Sequence, residues 1–353
     1  MSNYEAPQPH SACAAESAPS LEDNLSQAAP AKFLPQSVGM HSDRLTGLLK
    51  SADTHPNSVC LGPIILPLVS LQPGTFSAVE TLNPPDHAGQ RSVVLSCPHA
   101  GRIYPAEFIA ASIAHVTDLR GLEDFGVDQL INGALKQGVP CVMNKVTRAY
   151  IDVNRPVDAL DHLMLSSPPA NNNVKPSRHV RAGYGLLPRL TAAREVIHRQ
   201  LLPHDEVESR IALVHQPYHY AVQAALSDAC SKFGRAILLD CHSMPSHDQQ
   251  NRPLADIILG DLHHTTFNPK IGKMLTSLIE DSGFSVAWNR PYAGGYITKN
   301  YGRANSKQQS IQIEINRRLY MSRKYELNEG GVKRVSSLIT RLCAALSDIT
   351  ATF

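Results

Sequence analysis

At 353 residues, with 42% hydrophobic and 18% charged residues, the chain has the make-up of a soluble globular protein holding one large domain or two ordinary ones. A formal charge of +2, with no runs of Lys or Arg, excludes an electrostatic footprint on nucleic acid. The longest apolar stretch, Val59 to Val69, is interrupted by Pro63 and Pro67 and is too short to span a bilayer, so no membrane association is expected.

The seven cysteines (Cys13, Cys60, Cys97, Cys141, Cys230, Cys241 and Cys343) are odd in number and lack CxxC spacing. In a chain of this length they read as reduced thiols of a reducing compartment. The N-terminus carries Glu5, Glu16, Glu22 and Asp23 and no basic region followed by an apolar one. No secretory signal is therefore expected, and a cytoplasmic location follows.

Residues 1–38 are rich in Ala, Ser and Pro and cannot bury enough apolar surface to offset the entropy of ordering, so a mobile tail is expected. Residues 39–66 read as a linker with a short helix over Ser42 to Ala52, and residues 67–353 as one folded domain. Within that domain the first strand is Ser92 to Cys97, a β-branched run closed by Pro98. Pro105 opens a helix through Glu107-Phe-Ile-Ala-Ala. Strands are then expected over Cys141 to Val146 and Ala149 to Val153, a helix from Pro217, strands over Ala236–Asp240, Ala255–Leu259 and Ser310–Ile315, and a last helix over Gly331 to Ala345. Strands alternating with helices predict an α/β fold with a mixed, largely parallel sheet, whose ligands gather at the carboxyl ends of strands.

The unusual polar residues fall at those ends. His99 follows one apolar run in SCPHAG and His242 another in LLDCHSMP, where a side chain is lifted to the rim of the sheet. Zinc takes nitrogen ligands, and a catalytic site uses three protein ligands. A carboxylate is the expected third, with Asp124 of GLEDFGVDQL preferred and Glu123 as the alternative. Glu314 alternates with Ile311, Ile313 and Ile315 and shares the less apolar face with Gln312, which suits a general base; an ion pair with Arg317 or Arg318 is the plainer reading.

Anionic substrate groups call for arginine, whose fork matches a carboxylate. RAYIDVNRP offers Arg148, Asn154 and Arg155 around one expected strand end. Tyr292-Ala-Gly-Gly-Tyr296 reads as a mobile glycine turn fit for a lid. His215 and His219 are four apart, but Pro217 between them argues against one continuous helical face.

In order, VVLSCPHAGRIYP, EDFGVDQL, RAYIDVNR, GYGLLPRL, HQPYHYAVQAAL, LLDCHSMP, ADIILGDLH, PYAGGYITKNYG and QIEINRRLYM resemble the motif series of the N-formylglutamate amidohydrolase family over roughly residues 67–325. The resemblance implies a phosphorylase/hydrolase-like, zinc-carboxypeptidase-like three-layer sandwich. It also implies hydrolysis of an N-formyl or N-acyl amino acid, typically N-formyl-L-glutamate to L-glutamate and formate within histidine catabolism. It further implies His99 and His242 as Zn2+ ligands, Glu314 as base, and Asn154 with Arg155 holding a substrate carboxylate. Arg148 joins Glu314 in catalysis, and Tyr296 and Arg317 join the substrate site. Where the family usually carries two aspartates one residue apart, this chain has Leu122-Glu123-Asp124, which keeps the ligand open between Glu123 and Asp124. An N-acylamino-acid deacylase of other specificity and a catalytically silent amino-acid-binding relative are the competing readings.

Overall fold

The computed structural model describes residues 58–72, 75–83, 91–167 and 176–352; the expected tail and the helix over Ser42 to Ala52 lie outside them. Among the described residues twelve strands occur in order: β1 Ser58–Cys60, β2 Ile64–Leu66, β3 Val79–Leu82, β4 Val93–Cys97, β5 Ile103–Pro105, β6 Cys141–Asn144, β7 Ala236–Met244, β8 Ile257–Gly260, β9 Val286–Trp288, β10 Gln308–Asn316, β11 Met321–Arg323 and β12 Glu326–Asn328. Seven form the central sheet in the order β3-β6-β4-β7-β10-β8-β9. The joins β6–β4, β4–β7, β7–β10 and β8–β9 are parallel, and β3–β6 and β10–β8 antiparallel. Residues from the expected linker form β1 and β2, which pair with β12 and β5, and helix α1 (Ala106–Ala111) follows β5 directly.

Period-2 alternation sorts the strand residues between two cores. Leu239 and Cys241 of β7 and Ile311, Ile313 and Ile315 of β10 face one side. There they meet Ile271, Leu275 and Ile279 of helix α4 (Pro269–Asp281) and Val335, Leu338 and Leu342 of helix α6 (Glu329–Thr352). Val94 and Leu238 face the other side, against Tyr218, Val222 and Leu226 of helix α3 (Gln216–Phe233). Covered on both faces, the inner strands are largely apolar, and on the α3 side they carry a polar row of Ser96, Asp240, His242, Gln312 and Glu314. Each fully buried Leu or Ile of these layers contributes roughly 1.5–3 kcal/mol. The result is a three-layer α/β sandwich.

Two expectations are corrected. Ala149 to Val153 is not a strand: Tyr150 N–H bonds back to Thr147 O, and Asp152 N–H bonds across to Leu186 O. Its alternating Ala149, Ile151 and Val153 are buried in the α3-side core, so the pattern reported burial, which a loop crossing the strand ends satisfies as well as a strand does. Nor does Pro217 break the helix. Helix α2 (His204–Arg210) runs into α3 through a wide turn, Ile211–His215, in which Gln216 N–H reaches back five residues to Ile211 O. The wider turn makes room for a proline ring that an α-helical turn would exclude.

Among the described residues Cys97, Cys141, Cys230, Cys241 and Cys343 are free thiols. No helix of the described residues is long and apolar enough to cross a membrane.

Candidate active site

His99 lies just beyond β4, and His242 near the carboxyl end of β7, the strand beside it. Asp124 is drawn to them by a backbone bond from its N–H to His99 O, 2.9 Å. The Nδ1 atoms of the two histidines stand 3.1 Å apart. Asp124 Oδ2 lies 2.9 Å from His242 Nδ1 and 3.3 Å from His99 Nδ1. The three donor atoms fall within 4.8 Å of one another, all buried, a group able to hold a metal ion.

What lies behind each ring fixes its tautomer. His99 Nε2 is 2.7 Å from Asp152 Oδ1, and His242 Nε2 is 3.0 Å from Asp240 Oδ2. A carboxylate only accepts, so each Nε2 carries a proton and each Nδ1 turns its other valence to the shared point. Two nitrogens and a carboxylate oxygen converging there call for a cation. The same demand is visible in the protonation of His242. Burial opposes its charged form, yet Asp240 and the bond to Asp124 outweigh that and lift its pKa well above the ordinary histidine value. Burial likewise works against an ionised Asp124, and its bonds to His242 and His99 overcome it, holding the carboxyl well below its usual range.

The orienting carboxylates are themselves held. Arg148 Nε donates to Asp152 Oδ2 at 2.9 Å, and Asn154 N–H to Asp152 Oδ1 at 2.8 Å. Ser96 Oγ donates to Asp240 Oδ1 at 2.8 Å and stands 2.6 Å from the Tyr218 hydroxyl. With the serine proton committed to the carboxylate, the phenol is the donor to Ser96. Sequence reasoning missed Asp152, Asp240, Ser96 and Tyr218. Asp240 precedes His242 by two, a spacing that puts both on one face of a strand, and that signal was available.

Of Glu123 and Asp124, it is Asp124 whose carboxylate stands beside the two histidines. Glu123 points away, accepting from Tyr104 Oη at 2.6 Å and from Arg120 Nε at 3.2 Å.

Glu314 stands level with His242 across the parallel pair β10–β7 and accepts from Gln312 Nε2 at 2.9 Å. Burial pushes its carboxyl up to about 7, with His242 pulling the other way, a value suited to a base at neutral pH. Arg317 and Arg318 are engaged elsewhere. Arg317 donates to Ser243 Oγ at 2.9 Å and to Asp124 Oδ1 at 3.3 Å, and Arg318 pairs with Asp256.

Asn154 is buried, its Oδ1 accepting from Ile297 N–H at 2.8 Å and its Nδ2 3.3 Å from His242 Nε2. Arg155 donates from Nε to Tyr184 O at 3.0 Å and from Nη1 to Asn154 O at 2.9 Å. Tyr296 opens helix α5 (Tyr296–Tyr301) and lies with its ring 5.3 Å from that of His219, apart from the metal-type cluster. Tyr292, at the other end of the glycine turn, is the tyrosine near the charges: burial and then Glu314 push its phenol up to about 12. The turn itself is packed rather than loose. Ala293 O accepts from Leu262 N–H at 2.7 Å, and a Cβ on Gly295 would lie 2.4 Å from the Asn154 amide nitrogen, so only glycine fits against Asn154.

Fold and site together define a three-layer α/β protein with a buried histidine–carboxylate centre at the carboxyl end of its sheet. The sequence model of the N-formylglutamate amidohydrolase family matches residues 91–321, a span that contains every candidate site residue. An N-formylglutamate deformylase of Pseudomonas putida is 28% identical over 242 residues, 67% of this chain and 84% of that protein. One from Pseudomonas aeruginosa is 28% identical over 241 residues, 66% and 83% of the two chains. The crystal structure of N-formylglutamate amidohydrolase from Ralstonia eutropha JMP134 superposes with a TM-score of 0.72 at 31% identity, over 78% of this chain and 99% of that one. The chain belongs to the N-formylglutamate amidohydrolase family.

Proposed function

We propose that the chain is a zinc-dependent amidohydrolase that converts N-formyl-L-glutamate and water to L-glutamate and formate, in the cytoplasm and as a step of histidine breakdown. The observation that carries the reading is the convergence of His99 Nδ1, His242 Nδ1 and Asp124 Oδ2 on one buried point. His99, Asp124 and His242 would hold the zinc, whose tetrahedral preference for nitrogen and oxygen donors fits this set. When bound, it supplies Lewis acidity at the formyl carbonyl and acidifies water.

The remaining steps fall to side chains. Glu314 takes the proton of the attacking water as the C–O bond forms and delivers it to the amine nitrogen as the C–N bond breaks. Arg148, placed by Asp152, offers guanidinium donors to the charge that develops on the carbonyl oxygen. Arg155 spends two N–H groups on the carbonyls of Tyr184 and Asn154, and the rest of its fork serves the α-carboxylate with Asn154. Arg317 takes the side-chain carboxylate, and Tyr296 lines the approach.

The decisive experiment combines zinc content of the purified protein with kcat/KM on N-formylglutamate, N-formylalanine and N-acetylglutamate. Stoichiometric zinc and a strong preference for N-formylglutamate are expected. Equal kcat/KM for N-formylglutamate and N-formylalanine would sink the glutamate assignment and leave the metal hydrolase. Bound zinc without turnover of any of the three would sink the enzyme.

A further inference from the structure

The segment HQPYH, with His215 and His219 four residues apart, has no task in the proposed chemistry. It sits against the loop that carries Asn154 and Arg155. That loop turns sharply, with Arg155 N–H bonded to Asp152 O at 3.1 Å, and such a turn leaves the carbonyls of residues 153, 154 and 155 without partners of its own. Each is met by a side chain. His219 Nε2 lies 2.9 Å from Val153 O, Arg155 Nη1 2.9 Å from Asn154 O, and His215 Nε2 2.8 Å from Arg155 O.

A carbonyl only accepts, so both imidazoles are in the Nε2–H form. That leaves His219 Nδ1 as an acceptor, 2.8 Å from the Tyr301 hydroxyl. The uninterrupted helix across Pro217 makes the pair possible, because residues four apart then share a face; the two rings lie 4.4 Å apart between centroids. Burial lowers the pKa of both, that of His219 to about 4, so at neutral pH each is an uncharged single donor.

We infer that His215 and His219 are positioning residues for substrate recognition: a two-pronged clamp on the carbonyls flanking Asn154 that fixes how Asn154 and Arg155 meet the substrate carboxylate. This rests on the assignment of Asn154 and Arg155 to substrate binding. The clamp touches neither the substrate nor the reacting atoms. Its loss therefore shows in KM and leaves the zinc site intact.

Side-chain length gives the test. Glutamine carries its amide N–H about where Nε2 stands, whereas asparagine reaches only the Nδ1 position. H215Q and H219Q should keep KM for N-formylglutamate within about threefold of the unmodified protein. H215N and H219N should raise it about tenfold, the cost of leaving one buried carbonyl unpaired, with kcat and zinc content held. KM unchanged in the Asn variants, or raised as much by Gln as by Asn, would overturn the clamp. Should both Asn variants fail to fold, the Gln pair decides, and a raised KM in them overturns it. R155K, measured alongside, separates the two ideas. Raised KM in R155K with unchanged KM in the Asn variants removes the clamp alone, whereas unchanged KM in R155K removes the substrate assignment and the clamp with it.

Discussion

The two histidines turn their Nδ1 atoms to one point and are braced in opposite ways. Behind His99 stand Asp152 and then Arg148, whose side chain is 21% exposed, so this arm runs outward and ends in a cation. Behind His242 stand Asp240, Ser96 and Tyr218, all buried, so this arm runs inward and ends in a hydroxyl. The outward arm is charge-balanced. Burial disfavours the Asp152 anion, but Arg148 and His99 overcome that and hold its carboxyl well below the usual range. The inward arm has no arginine and relies on donated hydroxyl protons. One arm ties a proposed metal ligand to a residue proposed to act in catalysis, and the other ties its counterpart to the core. Disturbing the first should reach catalysis as well as the metal; disturbing the second should reach the metal and stability only.

The largest effect is expected where neither arm reaches. Glu314→Gln preserves size and removes the base, so turnover should fall by a factor on the order of 10² to 10⁴ with zinc content unchanged. Near-normal turnover would reduce Glu314 to a structural residue of β10. The pH profile gives the same answer from another side. Protonated Glu314 cannot accept a proton, and its carboxyl titrates at about 7, so kcat/KM should fall as pH drops through that region. A bound zinc ion would favour the anion and move the midpoint lower, never higher. An acid limb that persists unchanged in E314Q belongs to another group.

Next come the two carboxylates, which compare the arms directly. Asp152→Asn and Asp240→Asn should each weaken zinc binding, read by chelator competition, by about 10- to 100-fold. They should differ under saturating zinc. D152N releases Arg148 and should still lose turnover, whereas D240N should recover most of it. Equal recovery would mean that Arg148 does not depend on Asp152 for its place, and the contrast between the arms would collapse.

Much of this site was legible in the sequence because sheets project side chains with a period of two. His99 and His242 stood directly after apolar runs, and Glu314 alternated with isoleucines. Asp240 obeyed the same rule two residues before His242 and was passed over as an ordinary strand residue. Asp152 shares with Asn154 a segment that reads as a strand, since a loop packed into the core holds buried apolar residues as a strand does. The pair Glu123 and Asp124 narrowed the carboxylate to two, but the choice rests on the Asp124–His99 backbone bond and on Arg120 and Tyr104 claiming Glu123. Pro217 concealed the His215–His219 face, because the wide turn that accommodates it has no local sequence signature. Ser96 and Tyr218 are 122 residues apart, and nothing local announces their contact.

That contact supports the smallest prediction. Tyr218→Phe keeps the ring that packs against the sheet and removes only the hydroxyl at the far end of the inward arm. Ser96 can still donate to Asp240, so the carboxylate keeps its partner and His242 keeps its tautomer. What is lost is one buried bond, worth about 1 kcal/mol, and some restraint on the serine rotamer. Thermal unfolding should move down by about 2–4 °C, zinc affinity by no more than about threefold, and KM not at all. Ser96→Ala should go further, because it removes the donor that Asp240 accepts directly, and its loss of zinc affinity should lie between those of Y218F and D240N. A graded series of Y218F, S96A and D240N is what a chain of dependent bonds produces. If Y218F instead matched D240N in zinc affinity, the phenol would be holding Asp240 by some route other than Ser96, and the inward arm would have to be redrawn.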